Sequence, residues 1–142
     1  MSEQISVELK NDLTEVGRMS QILDKFCVSN KLPPDTNFAL NLSLEEILTN
    51  VIRYGYDDND EHIIQVRLNL YRGQVYIEVE DDGRPFNPME AEAPDIHKPL
   101  DERPIGGLGI HLVKNHVDSL RYVREGGRNL LIMKKKANPN SI

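Results

Sequence analysis

Three groups of residues in this chain have the types and spacing that chemistry needs. Glu46 and Asn50 stand four apart in an apolar-periodic stretch, which sets a carboxylate and a carboxamide one helical turn apart on one surface. Such a pair can hold a metal ion and orient a hydroxyl; taken alone, it is more commonly the polar flank of a surface helix. Asp81-Asp82-Gly83 closes a run in which Val75, Ile77 and Val79 alternate with polar residues. Asp81 shares their parity, so it faces inward and needs a partner, because an unpaired buried charge is expensive; Asp82 faces water. Third, GGLG at 106–109 leads into Ile110, Leu112, Val113, His116 and Val117 at helical spacing. N–H groups at a helix start, with the helix dipole behind them, favour phosphate. Glycines also serve many loops for turning alone.

The elements that must position these groups follow from periodicity. Leu40, Leu44, Ile47, Val51 and Tyr54 recur on one helical face, which predicts an amphipathic helix over 37–56 with Asp35 or Thr36 as its cap. Pro33-Pro34 breaks the pattern ahead of it. An earlier helix, capped by Asp12 or Thr14, carries Val16, Met19, Ile22, Leu23 and Phe26 to about Ser29. Ile5, Val7 and Leu9 alternate as a short strand at a sheet edge. The segments 64–70 and 75–79, joined by Arg72-Gly73, predict a hairpin. A second pair of strands, 120–123 and 130–133, flanks Glu125-Gly126-Gly127, and Lys134 to Lys136 are expected to be solvated or frayed with the tail. Between the two halves, residues 84–105 carry prolines at 85, 88, 94, 99 and 104. That density excludes regular structure over much of the segment, and a loop of this length is commonly a lid or binding loop.

Bulk properties narrow the function classes. The 142 residues fit a single domain, and a net charge of −6 argues against nucleic acid as a partner. No stretch reaches the roughly 18 apolar residues of a membrane span, and no apolar leader opens the chain. Cys27 is the only cysteine; its helical setting predicts a buried thiol in a reducing compartment, with the cytoplasm as the expected location. Asp57 to Asp60 lacks the spaced ligands and distal Glu of a calcium loop and reads as a solvated turn. His97 has no metal-ligand partner at useful spacing.

In this order and at these distances the three groups resemble the boxes of the GHKL (Bergerat) ATP-binding fold. EILTN at 46–50 matches the N-box, DDGRPFNP at 81–88 the first glycine box, and GGLG at 106–109 the second. The resemblance covers nearly the whole chain and is strongest to the bacterial anti-sigma factor serine kinases, whose N-box ending and closing strand are similar to TNVIRYGY and GGRNLLIMKK here. It implies an α+β fold: a two-layer sandwich with a mixed, mostly antiparallel sheet covered on one face by helices, a lid near 84–105 and a flexible tail near 137–142. It also implies roles. Asp81 would accept from the adenine amino group, and Gly83 would let backbone approach the ring edge. Asn50 would coordinate Mg²⁺, and Glu46 would be the general base toward a protein serine. Gly106, Gly107, Leu108 and Gly109 would cradle the ATP phosphates. The implied partners are an anti-sigma-factor antagonist of the STAS type, a sigma factor, and a second copy of the chain.

Two positions depart from the family pattern. An arginine that helps neutralise the γ-phosphate is replaced by Ile105, which leaves Arg103, Lys98 or Lys114 to take its place. The basic residue that often ends the N-box is Tyr54 here. Losing a positive clamp on the phosphate can cost on the order of 10³ in kcat. The alternative expectation is therefore a nucleotide-gated module, feeble in catalysis, that docks a regulatory partner. A sensor histidine kinase domain is disfavoured, because the first strand begins within a few residues of the start and leaves no room for dimerisation helices.

Overall fold

The computed structural model describes residues 3–87 and 113–138. Three alternating apolar segments form β1 (Glu3–Lys10), β2 (Ile63–Tyr71) and β3 (Gln74–Asp81); β4 (Ser119–Glu125) and β5 (Arg128–Lys136) follow later in the chain. The sheet order is β1-β2-β3-β5-β4, and every neighbouring pair is antiparallel. Among the described residues, then, the sheet is wholly antiparallel rather than mixed. Its two hairpins account for this: each closes through a two-residue turn, and they join side by side through β3 and β5. Arg72 and Gly73 have φ of 53° and 75°, and Gly126 and Gly127 have 59° and 75°. Positive φ at both central residues matches the turn's twist to that of the strands.

Helices α1 (Thr14–Ser29) and α2 (Pro34–Tyr54) cover one face of this sheet. The second begins three residues earlier than periodicity indicates. Pro34 takes the first helical position, where its missing N–H costs nothing, so Pro33-Pro34 opens the helix as well as interrupting the chain before it. Asp35 and Thr36 consequently lie inside the first turn, and no side chain caps it. At α1, Asp12 Oδ1 accepts from the Thr14 backbone N–H at 2.9 Å and from its hydroxyl at 3.0 Å.

The core lies between helices and sheet. Met19, Leu23 and Phe26 of α1 and Leu40, Leu44 and Ile47 of α2 pack with Leu68, Ile77 and Met133. Each such side chain contributes roughly 1.5–3 kcal/mol when fully buried. Tyr54 is only half-buried, so the apolar stripe of α2 effectively ends at Val51. Cys27 is buried, and burial pushes its thiol up to about 11. Lys134 to Lys136 are not frayed: they complete β5 against β3, and Lys135 Nζ donates to the His116 carbonyl at 2.8 Å. A long aliphatic stem lets a lysine lie along the inner face while its ammonium finds a polar partner. Most of the proposed lid, His97, Lys98, Arg103, Ile105 and the whole GGLG box lie outside the described residues, as do residues 139–142.

Candidate functional site

Strand register builds the site. Asp81 stands opposite Asn129, which stands opposite Arg124, so one cross-strand row on the helix-covered face ends in polar groups. Asp81 is 4% exposed. Its Oδ1 accepts from the Gly83 backbone N–H at 2.8 Å and from Asn129 Nδ2 at 3.0 Å. Asn129 Nδ2 also donates to the Arg84 carbonyl at 2.8 Å, while Asn129 Oδ1 accepts from the Tyr122 hydroxyl and from Arg124 Nη1 at 3.1 Å. Arg124 Nη1 donates in turn to the Gly83 carbonyl at 2.7 Å. Burial raises the Asp81 carboxyl above the usual aspartate range; the bonds from Asn129 and Gly83 oppose that shift, Asp82 adds to it, and Arg124 counters it.

The exit of β3 is locked to the end of α2. Arg84 N–H donates to the Gly55 carbonyl at 2.8 Å, and its Nε donates to the Tyr54 carbonyl at 2.6 Å. A Cβ on Gly83 would fall on the Gly55 carbonyl oxygen and lie 2.9 Å from Asp81 Oδ1. One on Gly55 would stand 2.5 Å from the Val51 carbonyl oxygen. The backbone of the protein itself therefore demands glycine at both positions, before any ligand is considered.

Above this junction lies a narrow cleft between α2 and the sheet. Ile47 and Val51 of α2 and Val79 and Leu131 of the sheet supply apolar walls, Phe86 and Tyr122 flank them, and Asp81, Arg84 and Asn129 add polar groups to the lining. Flat apolar walls beside a buried carboxylate suit a planar heterocycle with an exocyclic N–H donor.

Residues 9–135 match the histidine kinase-like ATPase domain family. The chain belongs to that family. As a histidine kinase-like ATPase domain it is similar to the serine/threonine-protein kinase BtrW of Bordetella bronchiseptica, at 25% identity over 140 residues that cover 99% of each chain. It is 27% identical over 99 residues to the serine-protein kinase RsbW of Bacillus mycoides, covering 67% of this chain and 61% of that one. The chain thus spans about three-fifths of the length of the Bacillus kinases it matches, and nearly all of the Bordetella one. Its fold resembles the structure of the RsbU and RsbW domains of Rv1364c from Mycobacterium tuberculosis, with a TM-score of 0.70 at 13% identity, covering 94% of this chain and 32% of that one. The family confirms the Bergerat-type fold and the relationship to anti-sigma serine kinases that the three boxes implied.

Within this histidine kinase-like domain the structure joins some of the expected residues and separates others. Asp81 lines the cleft and Gly83 lies beneath it in the α2 junction. Asn50 and Glu46 lie on α2, one turn apart, but the walls of this cleft are formed by their neighbours Ile47 and Val51. Asn50 is 5% exposed, and among the described residues its side-chain nitrogen has no hydrogen-bond partner. Asn129, Tyr122 and Arg124 are absent from the sequence-derived site. Their signal was the GGRN turn and the alternation of β4, but only the β3–β5 register brings them beside Asp81. Nearby, His62 bridges Asp58 (Nε2 to Oδ1, 2.7 Å) and Asp82 (Nδ1 to Oδ1, 3.1 Å) and stacks on Tyr56 at 4.2 Å. Asp82 is exposed as parity requires, yet held in contact with the His62 imidazole. The hydrogen bond that the imidazole donates to Asp58 leads in raising it above its ordinary range.

Proposed function

We propose that this chain is an ATP-dependent protein-serine kinase of the anti-sigma type, which phosphorylates a STAS-domain antagonist and also binds a sigma factor. The observation that carries the reading is Asp81, a buried carboxylate set at the polar end of a cleft with apolar walls. Asp81 accepts a hydrogen bond from the adenine amino group, while Ile47, Val51, Val79 and Leu131 hold the ring by apolar contact. The buried Asn50 amide, whose nitrogen has no partner among the described residues, fits a metal site: rotating the amide by half a turn places its oxygen where the nitrogen has no acceptor. Asn50 would hold Mg²⁺ through that oxygen, the hard ligand the ion prefers. The ion supplies neutralisation of phosphate charge when bound.

Glu46, half-buried one turn before Asn50, takes the proton from the attacking serine hydroxyl. Gly106, Gly107, Leu108 and Gly109 cradle the phosphates with backbone N–H groups, and Arg103, Lys98 or Lys114 meets the terminal phosphate. The chain acts in the cytoplasm as a single domain, closed over its ligand by residues 84–105, and pairs as a homodimer.

A second reading follows from Ile105, which stands where related kinases carry a phosphate-binding arginine: a nucleotide-gated module that sequesters its partner and transfers phosphate feebly. Incubation with γ-labelled ATP, Mg²⁺ and a STAS-domain protein separates the two. The kinase reading expects one labelled serine on the STAS protein, lost on Glu46→Ala by about 10²–10⁴-fold while ADP still binds. Nucleotide-dependent complex formation without label supports the module, and label undiminished in Glu46→Ala removes that residue from the mechanism.

A further inference from the structure

We infer that Asn129 makes the site selective for adenine over guanine, by occupying one oxygen of Asp81 so that only the other is offered to a base. The inference rests on the nucleotide-binding reading above and names a selectivity determinant within it. Asn129 is a positioning residue: it acts through Asp81.

Which way the Asn129 amide points is fixed by chemistry. Tyr122 O–H and Arg124 Nη1 converge on one of its terminal atoms, and an arginine can only donate. That atom must be the oxygen, so the NH₂ group faces Asp81. Both amide protons are then spent, one on Asp81 Oδ1 at 3.0 Å and one on the Arg84 carbonyl at 2.8 Å. Asp81 Oδ1 also accepts the Gly83 N–H at 2.8 Å. A carboxylate oxygen offers about two lone-pair sites, and on Oδ1 both are filled by groups of the protein. Oδ2 takes neither bond.

The consequence for purines is asymmetric. Adenine presents one amino group beside an acceptor nitrogen, so a single carboxylate oxygen satisfies its donor. Guanine presents two adjacent donors, N1–H and the 2-amino group, which pair with a carboxylate only when both oxygens accept. With Oδ1 saturated, one guanine donor is left buried without a partner; turned the other way, guanine sets its 6-oxo group against the carboxylate. An unsatisfied buried donor weakens binding by roughly 10–100-fold, so the wild-type chain should prefer ADP to GDP by at least that factor.

Calorimetric titration of the full chain with ADP and with GDP tests this. Asn129→Ala frees one site on Oδ1, and the ADP:GDP affinity ratio should fall by about tenfold, with GDP weakened least or tightened. Tyr122→Phe keeps the ring and removes one hydroxyl that orients the amide; the ratio should fall in the same direction by about two- to threefold, which covers the case in which Asn129→Ala does not fold. A purely structural role would weaken both nucleotides alike. Wild-type binding of ADP with a ratio unmoved in the folded variants overturns the selectivity role alone. Failure of the wild-type chain to bind either nucleotide overturns the nucleotide reading itself.

Discussion

The two ends of the candidate site are built on opposite terms. Around Asp81 each proton of the Asn129 amide and both faces of its oxygen are engaged by neighbours, and the strand register sets Asp81, Asn129 and Arg124 in one row. On α2, Asn50 is just as buried, but its amide nitrogen has no partner among the described residues. A closed network specifies geometry in advance and resists change, whereas an orphaned polar group is a standing cost that a ligand can relieve. On the proposed nucleotide reading, recognition of the base would be prepared by the protein, and the phosphate end left for its ligands to complete.

The largest effect should come from breaking the closed end. Asp81→Asn exchanges an anionic acceptor for an amide that must turn one of its groups toward Asn129, and ATP and ADP affinity should both drop on the order of 10–100-fold by calorimetry. Equal affinity would detach the cleft from the nucleotide. Next, Asn50→Leu and Asn129→Leu set the two ends directly against each other in urea denaturation. Losing four hydrogen bonds at Asn129 should cost about 2–4 kcal/mol, while removing the unpaired amide at Asn50 should leave stability unchanged or raise it by about 1 kcal/mol. The Asn50 variant should nonetheless lose affinity for ATP with Mg²⁺ while keeping it for metal-free ADP; similar destabilisation in both variants would mean that the Asn50 amide is satisfied after all.

A smaller effect is expected from acid. Burial holds the Asp81 carboxyl above the usual aspartate range, and only its ionised form leaves every oxygen an acceptor. Nucleotide affinity should therefore fall as pH drops, beginning above the range of an ordinary aspartate, and Asp81→Asn should flatten that profile. The smallest concerns His62, raised above its ordinary range chiefly by Asp58 and next by Asp82. A folded-state pKa above the unfolded one contributes stability that is complete below the unfolded value and fades as pH rises through the folded one. Thermal melts of wild type and His62→Gln should converge at alkaline pH and separate below neutrality. A constant gap across that range would mean that the imidazole is held by its stacking on Tyr56 rather than by charge.

What was legible in the sequence was whatever rests on local periodicity. The parity of Val75, Ile77 and Val79 placed Asp81 inside, and the spacing of Leu40, Leu44, Ile47 and Val51 identified the covering face of α2. Pro34 misled at the helix start because proline both ends one segment and suits the first position of the next. Lys134 to Lys136 misled because charge was read as fraying, while ladder pairing with β3 orders all three and leaves only Lys136 exposed. Asn129, Tyr122 and Arg124 were not legible, since their meaning depends on β5 pairing with β3, some 48 positions away at the Asp81–Asn129 contact. Gly83 was assigned to making room for a base; the atom it first makes room for is the carbonyl of Gly55.

That glycine-to-glycine junction works as a gauge. Because the last turn of the long helix is clamped onto the mouth of the third strand, the interval between the carboxylate and the carboxamide is set by two stiff rods fastened at one point. Bulk inserted at Gly55, 2.5 Å from the Val51 carbonyl oxygen, would change that interval without touching Asp81 or Asn50. On the proposed nucleotide reading, the protein would then misjudge how far a terminal phosphate lies from its base, and with it the difference between a triphosphate and a diphosphate.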